Sequence, residues 1–228
     1  MAKSNFLALC NKVAQECNIP GSGLASVTGQ TGIELRVVTW TADADELIQS
    51  KYFDWNFLSS SFSTNTIADT PTYVAPTDIG VWDRESIYID QALNTYANLK
   101  EVEYKLWRKT RRNGVQTSSK PYEFTIKPDN SLSLYPQPDT AYTLTAEYFK
   151  RPTRMTANTD TSDIPEQFEQ AIIEMAKTRY AEDQGAREIL ENSNAELAYW
   201  VSQLEKSELP GNYIRGVVDH ADVVVRPE

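Results

Sequence analysis

The stretch Tyr122-Glu123-Phe124-Thr125-Ile126, followed by Leu132-Ser133-Leu134-Tyr135-Pro136 and then Tyr142-Thr143-Leu144-Thr145-Ala146-Glu147-Tyr148-Phe149, decides the fold class. Apolar and aromatic side chains alternate here with Glu, Thr and Ser, and in an extended chain a period of two sends them to opposite faces. Pro128-Asp129-Asn130 and Pro138-Asp139 supply turn chemistry between the runs. The pattern predicts three successive antiparallel strands, a meander with one apolar face buried and one polar face wet. Upstream, Glu103 to Lys109 with Tyr104, Leu106 and Trp107 reads as a further strand. Phe62 to Ile89, rich in Thr, Ser, Tyr and Val and cut by Pro71 and Pro76, reads as short edge-like strands that pack Trp82 and Tyr88.

On both sides of this region the period changes to that of a helix. Phe6, Leu9, Cys10, Val13, Ala14 and Cys17 form one stripe, with Ser4 or Asn5 as cap and Asn18-Ile19-Pro20-Gly21 as stop. Gly21-Ser22-Gly23 lacks the further glycines and the lysine of a phosphate loop and reads as plain connector. A second helix is expected over Ile33 to Ser50, with Val37, Trp40, Ala44, Leu47 and Ile48 inward and Asp43, Asp45 and Glu46 on its wet face. Asp54-Trp55-Asn56-Phe57-Leu58 is an aromatic anchor beyond its end. At the other side, Asp163-Ile164-Pro165-Glu166 carries an Asp cap, an early proline and first-turn acids, and starts a helix over Pro165 to Asp183. Gln184-Gly185 breaks it, and a last helix over Ala186 to Ser207 aligns Leu190, Leu197, Val201 and Leu204. So short a break makes the last two helices antiparallel neighbours.

The expected fold is therefore α+β: a helical bundle (residues 1–58 and 163–209) with an inserted, mainly antiparallel β region (59–150), together one domain spanning 1–209. An extended C-terminal tail over 210–228 follows Leu209-Pro210-Gly211. Its Val217, Val218, Val223, Val224 and Val225 favour an extended backbone able to add a strand to a neighbour.

Composition narrows the function classes. The 228 residues are 40% hydrophobic and 24% charged, an ordinary globular balance, and Lys+Arg 22 against Asp+Glu 32 leaves a net charge of −10. That charge disfavours a globally basic nucleic-acid surface. Apolar runs fall short of a membrane span, and Met1 to Phe6 has no secretory h-region, so synthesis in the cytoplasm is expected. Cys10 and Cys17 read as two buried small hydrophobes in preference to a disulfide or a ligand pair, since a straight helix holds them about 10 Å apart. His220 is the only histidine, and no nucleophile elbow, paired-cysteine, zinc, calcium or dinucleotide motif is present. The reading is of a protein that is not an enzyme and has no catalytic residues, cofactor or metal.

One local excess of charge stands out. Lys105, Arg108, Lys109, Arg111 and Arg112 place five positive charges in eight residues, followed by turn-prone Asn113-Gly114. Three uses are open: a solvated loop, a contact with an acidic protein surface, or a contact with passing nucleic acid.

The order of elements, with Ile33-Glu34-Leu35-Arg36-Val37-Val38-Thr39-Trp40, Trp55-Asn56-Phe57-Leu58, Tyr148-Phe149-Lys150-Arg151-Pro152 and Ile164-Pro165-Glu166-Gln167-Phe168, resembles the head-to-tail adaptor (connector) proteins of tailed bacteriophages. The resemblance runs to about Leu209. It implies a structural virion protein at the head–tail junction, without catalytic residues. Its copies would form a ring, commonly a dodecamer, that binds the portal protein and tail components while double-stranded DNA passes through the lumen without sequence-specific binding. The alternative is another phage tail structural protein, such as a tail terminator or baseplate component.

Overall fold

The computed structural model describes residues 3–21, 23–90, 97–111 and 117–209. Five α-helices and eight strands are assigned among them. In chain order the first are α1 (Phe6–Glu16), α2 (Gly32–Gln49), β1 (Ser59–Asn65), β2 (Thr72–Tyr73) and β3 (Ile79–Asp90). Next come β4 (Ala97–Asn98), β5 (Lys100–Glu101), α3 (Tyr104–Thr110), β6 (Glu123–Ile126), β7 (Leu132–Tyr135) and β8 (Thr143–Lys150). α4 (Glu169–Gln184) and α5 (Arg187–Glu208) close the series. The chain is α+β and divides into two compact units, Met1–Leu58 with Pro152–Glu228, and Ser59–Arg151.

In the helical unit, α2 packs on α1 and α4, and α4 also packs on α5. The expected stripe of α1 is buried, and its cap is Asn5, whose side chain accepts from the Ala8 N–H at 2.9 Å. The loop before α4 ties down the N-terminus. Asp160 Oδ2 accepts from the Thr156 and Ala157 amides at 2.7 and 2.8 Å, while its carbonyl accepts from Phe6 N at 2.7 Å. Those amide bonds, first the one from Ala157 and then the one from Thr156, hold the Asp160 carboxyl below its ordinary pKa. Gly185 ends α4 at φ +65°, a left-handed position that glycine adopts without a Cβ penalty.

Three expectations are corrected in this unit. Asp163 is not the cap of α4: a 3-10 turn, Glu166–Phe168, intervenes, and Ser162 Oγ accepts the Ile164 N–H instead. Asp45 is not on a wet face but fully buried. Leu47, expected inward, is 44% exposed. The stripe on α5 is also shallower than a core stripe, because Leu190, Leu197 and Val201 are half-buried and only Leu204 among them is buried. Leu197→Ala is therefore expected to cost about 1 kcal/mol in equilibrium unfolding, well under the 2–5 kcal/mol typical of a fully buried leucine. A loss above 3 kcal/mol would show that α5 carries a deeper core than its accessibility indicates.

The second unit contains two four-stranded sheets, β1-β8-β3-β4 and β2-β7-β6-β5. Their inward residues merge into one core that includes Trp82, Ile87 and Ile89 of β3, Phe124 of β6, Leu132 and Leu134 of β7, and Leu144 and Tyr148 of β8. The meander is thus only half present. β6 and β7 pair as a hairpin with Phe124 opposite Leu134. After Tyr135 the chain passes Pro136 and Pro138 and crosses to the other sheet, where β8 lies between β1 and β3. The antiparallel expectation is also broken by the parallel pair β5–β6. The third correction here concerns strand length: Ile79–Asp90 is one strand of 12 residues, not a set of short pieces. It absorbs register shifts between Ile79 and Val81 and between Asp83 and Tyr88. Gly80 sits at the first shift because a Cβ there would lie 3.1 Å from the Phe149 carbonyl oxygen and 3.2 Å from Arg151 N.

Candidate interface on the basic helix

The segment that carries the positive charge is a helix, which overturns the strand expected over Glu103 to Lys109. In α3 the cations stand at Lys105, Arg108 and Lys109, an i, i+3, i+4 spacing that puts them on one outward face. Arg108 and Lys109 also occupy the last turn, where positive charge complements the helix dipole. Trp107 turns inward and is buried, Tyr104 is half-buried, and Leu106, expected to pack, is 52% exposed. Alternation cannot bury Tyr104, Leu106 and Trp107 together on this backbone.

α3 covers the second face of the β6–β7 hairpin, the face expected to be wet. The Trp107 ring meets Tyr135 edge-on at 6.0 Å, and Tyr122 meets Tyr135 at 6.1 Å. Burial along both strands is consequently continuous from Glu123 to Thr125 and from Leu132 to Leu134. Arg111, just past the helix, is not a free cation. Its Nε and Nη2 donate to the two Glu123 oxygens at 3.0 and 3.1 Å, and its guanidinium lies 4.6 Å from the Tyr135 ring centroid. The hydrogen bond to Glu123 raises its already high pKa.

The structure thus splits the expected set. Lys105, Arg108 and Lys109 are exposed and have no ion-pair partner among the described residues. Arg111 is a structural clamp. Arg112, like Val217, Val218, Val223, Val224 and Val225, lies outside the described residues.

Beside the clamp is a recess of about 430 Å³ that sequence reasoning missed, lined by Thr72, Trp107, Arg111, Lys127, Ser133 and Tyr135 among others. Lys127 Nζ donates to Thr72 Oγ1 at 2.8 Å, and that hydroxyl is 2.9 Å from Ser133 Oγ. Lys127 opens the turn between β6 and β7. Its N–H reaches the Ser131 carbonyl at 2.9 Å, and Asp129 Oδ1 accepts from Ser131 Oγ at 2.7 Å and Ser131 N at 3.1 Å. Those bonds to Ser131 hold the Asp129 carboxyl below its ordinary pKa. The missed signal is the buried Glu123 on a strand face that alternation assigns to solvent: a buried carboxylate demands a cation, and the cation brings α3 with it.

Cys10 and Cys17 are free and buried, and desolvation pushes their thiols up to about 12 and about 11, so both remain protonated. Among the described residues, no group of three or more His, Cys, Asp and Glu side chains could hold a metal ion. No helix among them is long and apolar enough to cross a membrane. His220 lies outside them.

No curated protein matches the chain. The family model described as SU10 adaptor protein matches residues 4–218. That span covers both the helical unit and the inserted sheets, and the chain accordingly belongs to the SU10 adaptor protein family, a family of bacteriophage structural adaptors.

Proposed function

We propose that this adaptor joins the portal protein to the tail as a ring of copies, twelvefold in its mature form, at the head–tail junction of the virion. Double-stranded DNA passes through the ring without sequence-specific contact. Family membership across residues 4–218 carries the reading. A cluster of unpaired cations on a chain of net charge −10 supports it, because such a cluster is suited to an acidic protein surface. Repeated heterologous contacts of one kind close into a ring when the rotation between copies closes. In this reading α3 forms part of the rim that meets a neighbouring protein. The segment 210–228, with Val217, Val218 and Val223 to Val225, adds a strand to a neighbour; it lies outside the described residues. Residues 1–209 act as a single adaptor domain.

The test is reconstitution with the portal protein of the same phage, followed by electron microscopy and by light scattering over a salt series. The parent chain is expected to build a ring on the portal. The triple variant Lys105→Ser, Arg108→Ser, Lys109→Ser should stay folded and assemble about tenfold more slowly at low ionic strength, with the gap closing as salt screens the charges. Equal rates at every salt concentration would remove the role of α3. Rings that form without the portal and bind tail tubes or baseplates instead would favour a tail terminator or baseplate component.

A further inference from the structure

We propose that the recess between α3 and the paired strands β2 and β7 is a receptor for a carboxylate side chain presented by a partner protein, with the Lys127 ammonium as its anchor. The proposal rests on the recess alone and stands whether or not the exposed face of α3 contacts the portal.

Lys127 is half-buried, and among the described residues no carboxylate lies within ion-pair distance of its ammonium. One of its three donors is satisfied by the Thr72 hydroxyl at 2.8 Å. Arg111 contributes no net charge, since Glu123 neutralises it at 3.0 and 3.1 Å. Asp129 feels the Lys127 charge without forming an ion pair with it, so the recess carries one ammonium that no contacting carboxylate neutralises, beside a hydroxyl pair, Thr72 and Ser133, able to donate to an anion. Its other walls are the Trp107 and Tyr135 rings, held at 6.0 Å by edge contact. Aromatic walls reduce the local dielectric, which makes an ammonium without a contacting carboxylate more costly and an arriving carboxylate more strongly bound.

Shape selects the class of partner. A volume of about 430 Å³ holds one or two side chains. A nucleic-acid duplex presents its phosphates on a broad convex surface and is bound by cations spread along it, whereas this cation sits inside a concavity. A glutamate or aspartate projecting from a loop or strand can enter, bond Lys127 and the hydroxyls, and rest its methylene groups on the rings. The clamp of Arg111 on Glu123 and Tyr135 keeps the recess open in advance, so binding orders little of the receptor.

Fluorescence anisotropy of a fluorescein-labelled Gly-Glu-Glu-Leu-Glu-Gly peptide, with the full chain, tests this. Tighter binding by about tenfold than to the Gln-for-Glu peptide is expected, with loss on raising the salt. Lys127→Met and Lys127→Gln should each lose at least about fivefold, while Lys127→Arg keeps binding within about twofold, and all three should retain the parent's circular dichroism. Equal binding of the Glu and Gln peptides, or full binding by folded Lys127→Met and Lys127→Gln, would overturn the proposal. So would a labelled 20-base-pair duplex that binds with the same dependence on Lys127, which would make the recess a phosphate site.

Discussion

Replacing Trp55 with alanine is expected to lower the unfolding free energy by about 3 to 5 kcal/mol. The side chain is fully buried and sits in the turn that follows α2, six residues past its last residue, Gln49. Carbonyls at a helix C-terminus lack intrahelical partners, and the Trp55 indole N–H meets one of them, Gln49 O, at 3.1 Å. The ring is held by Tyr52, edge-on at 5.2 Å, and by Phe57, stacked at 5.3 Å. Truncation would therefore open a cavity among aromatic rings that are fixed by the adjacent turn and cannot collapse into it. Trp55→Phe separates the two contributions: it keeps most of the apolar surface but strands the Gln49 carbonyl, for an expected loss of about 1 to 3 kcal/mol. Denaturant unfolding followed by far-ultraviolet circular dichroism measures both. A loss below about 1 kcal/mol for the alanine variant would mean that Trp55 is not the anchor of this turn.

The aromatic anchor was legible because Trp55, Phe57 and Leu58 come just after a helical period ends. The helices were legible for a related reason: a stripe at 3.6 spacing has one way to be buried, and α1 buries the stripe its sequence displays. Strands carry less information. Alternation in Glu123 to Ile126 and Thr143 to Phe149 marks extended chain but does not name the neighbour, so the crossing of β8 to the other sheet was invisible apart from Pro136 and Pro138. For α3 the two periods competed in seven residues. Tyr104, Leu106 and Trp107 suggest alternation, while Lys105, Arg108 and Lys109 suit a helix face; the clamp between Arg111 and Glu123, 12 residues apart, accompanies the helical outcome. The recess depends on pairs still more distant, such as Lys127 with Thr72 at a separation of 55 residues. No local rule supplies such a pair.

Asp45→Asn is expected to stabilise the protein by about 2 to 3 kcal/mol at pH 8 and to have little effect at pH 4. On the helical wheel Asp45 lies with Thr41, Ala44 and Ile48, all buried, and its charge is a liability there. Desolvation pushes its carboxyl up from 3.8 to about 6. The Ser162 hydroxyl, donating to Oδ1, and the Gln49 amide nearby oppose that rise; Asp163 adds to it and Lys3 subtracts from it. Oδ2 has no hydrogen-bond partner within the described structure, nor does either atom of the Gln49 amide. A carboxyl with a higher pKa in the folded state binds more protons there than in the unfolded chain. Stability from this group is therefore full below about pH 4, falls as the pH rises, and is lost above about pH 6. Asparagine removes the charge, keeps an oxygen to accept from Ser162 and adds an amide N–H that can face the Gln49 oxygen. Unfolding free energies of parent and variant, measured at intervals from pH 4 to pH 8, should diverge through this window, because contributions from other groups cancel in the difference. A variant that tracks the parent at constant separation, or that is weaker at pH 8, would show that Asp45 is ionised and compensated in the folded protein.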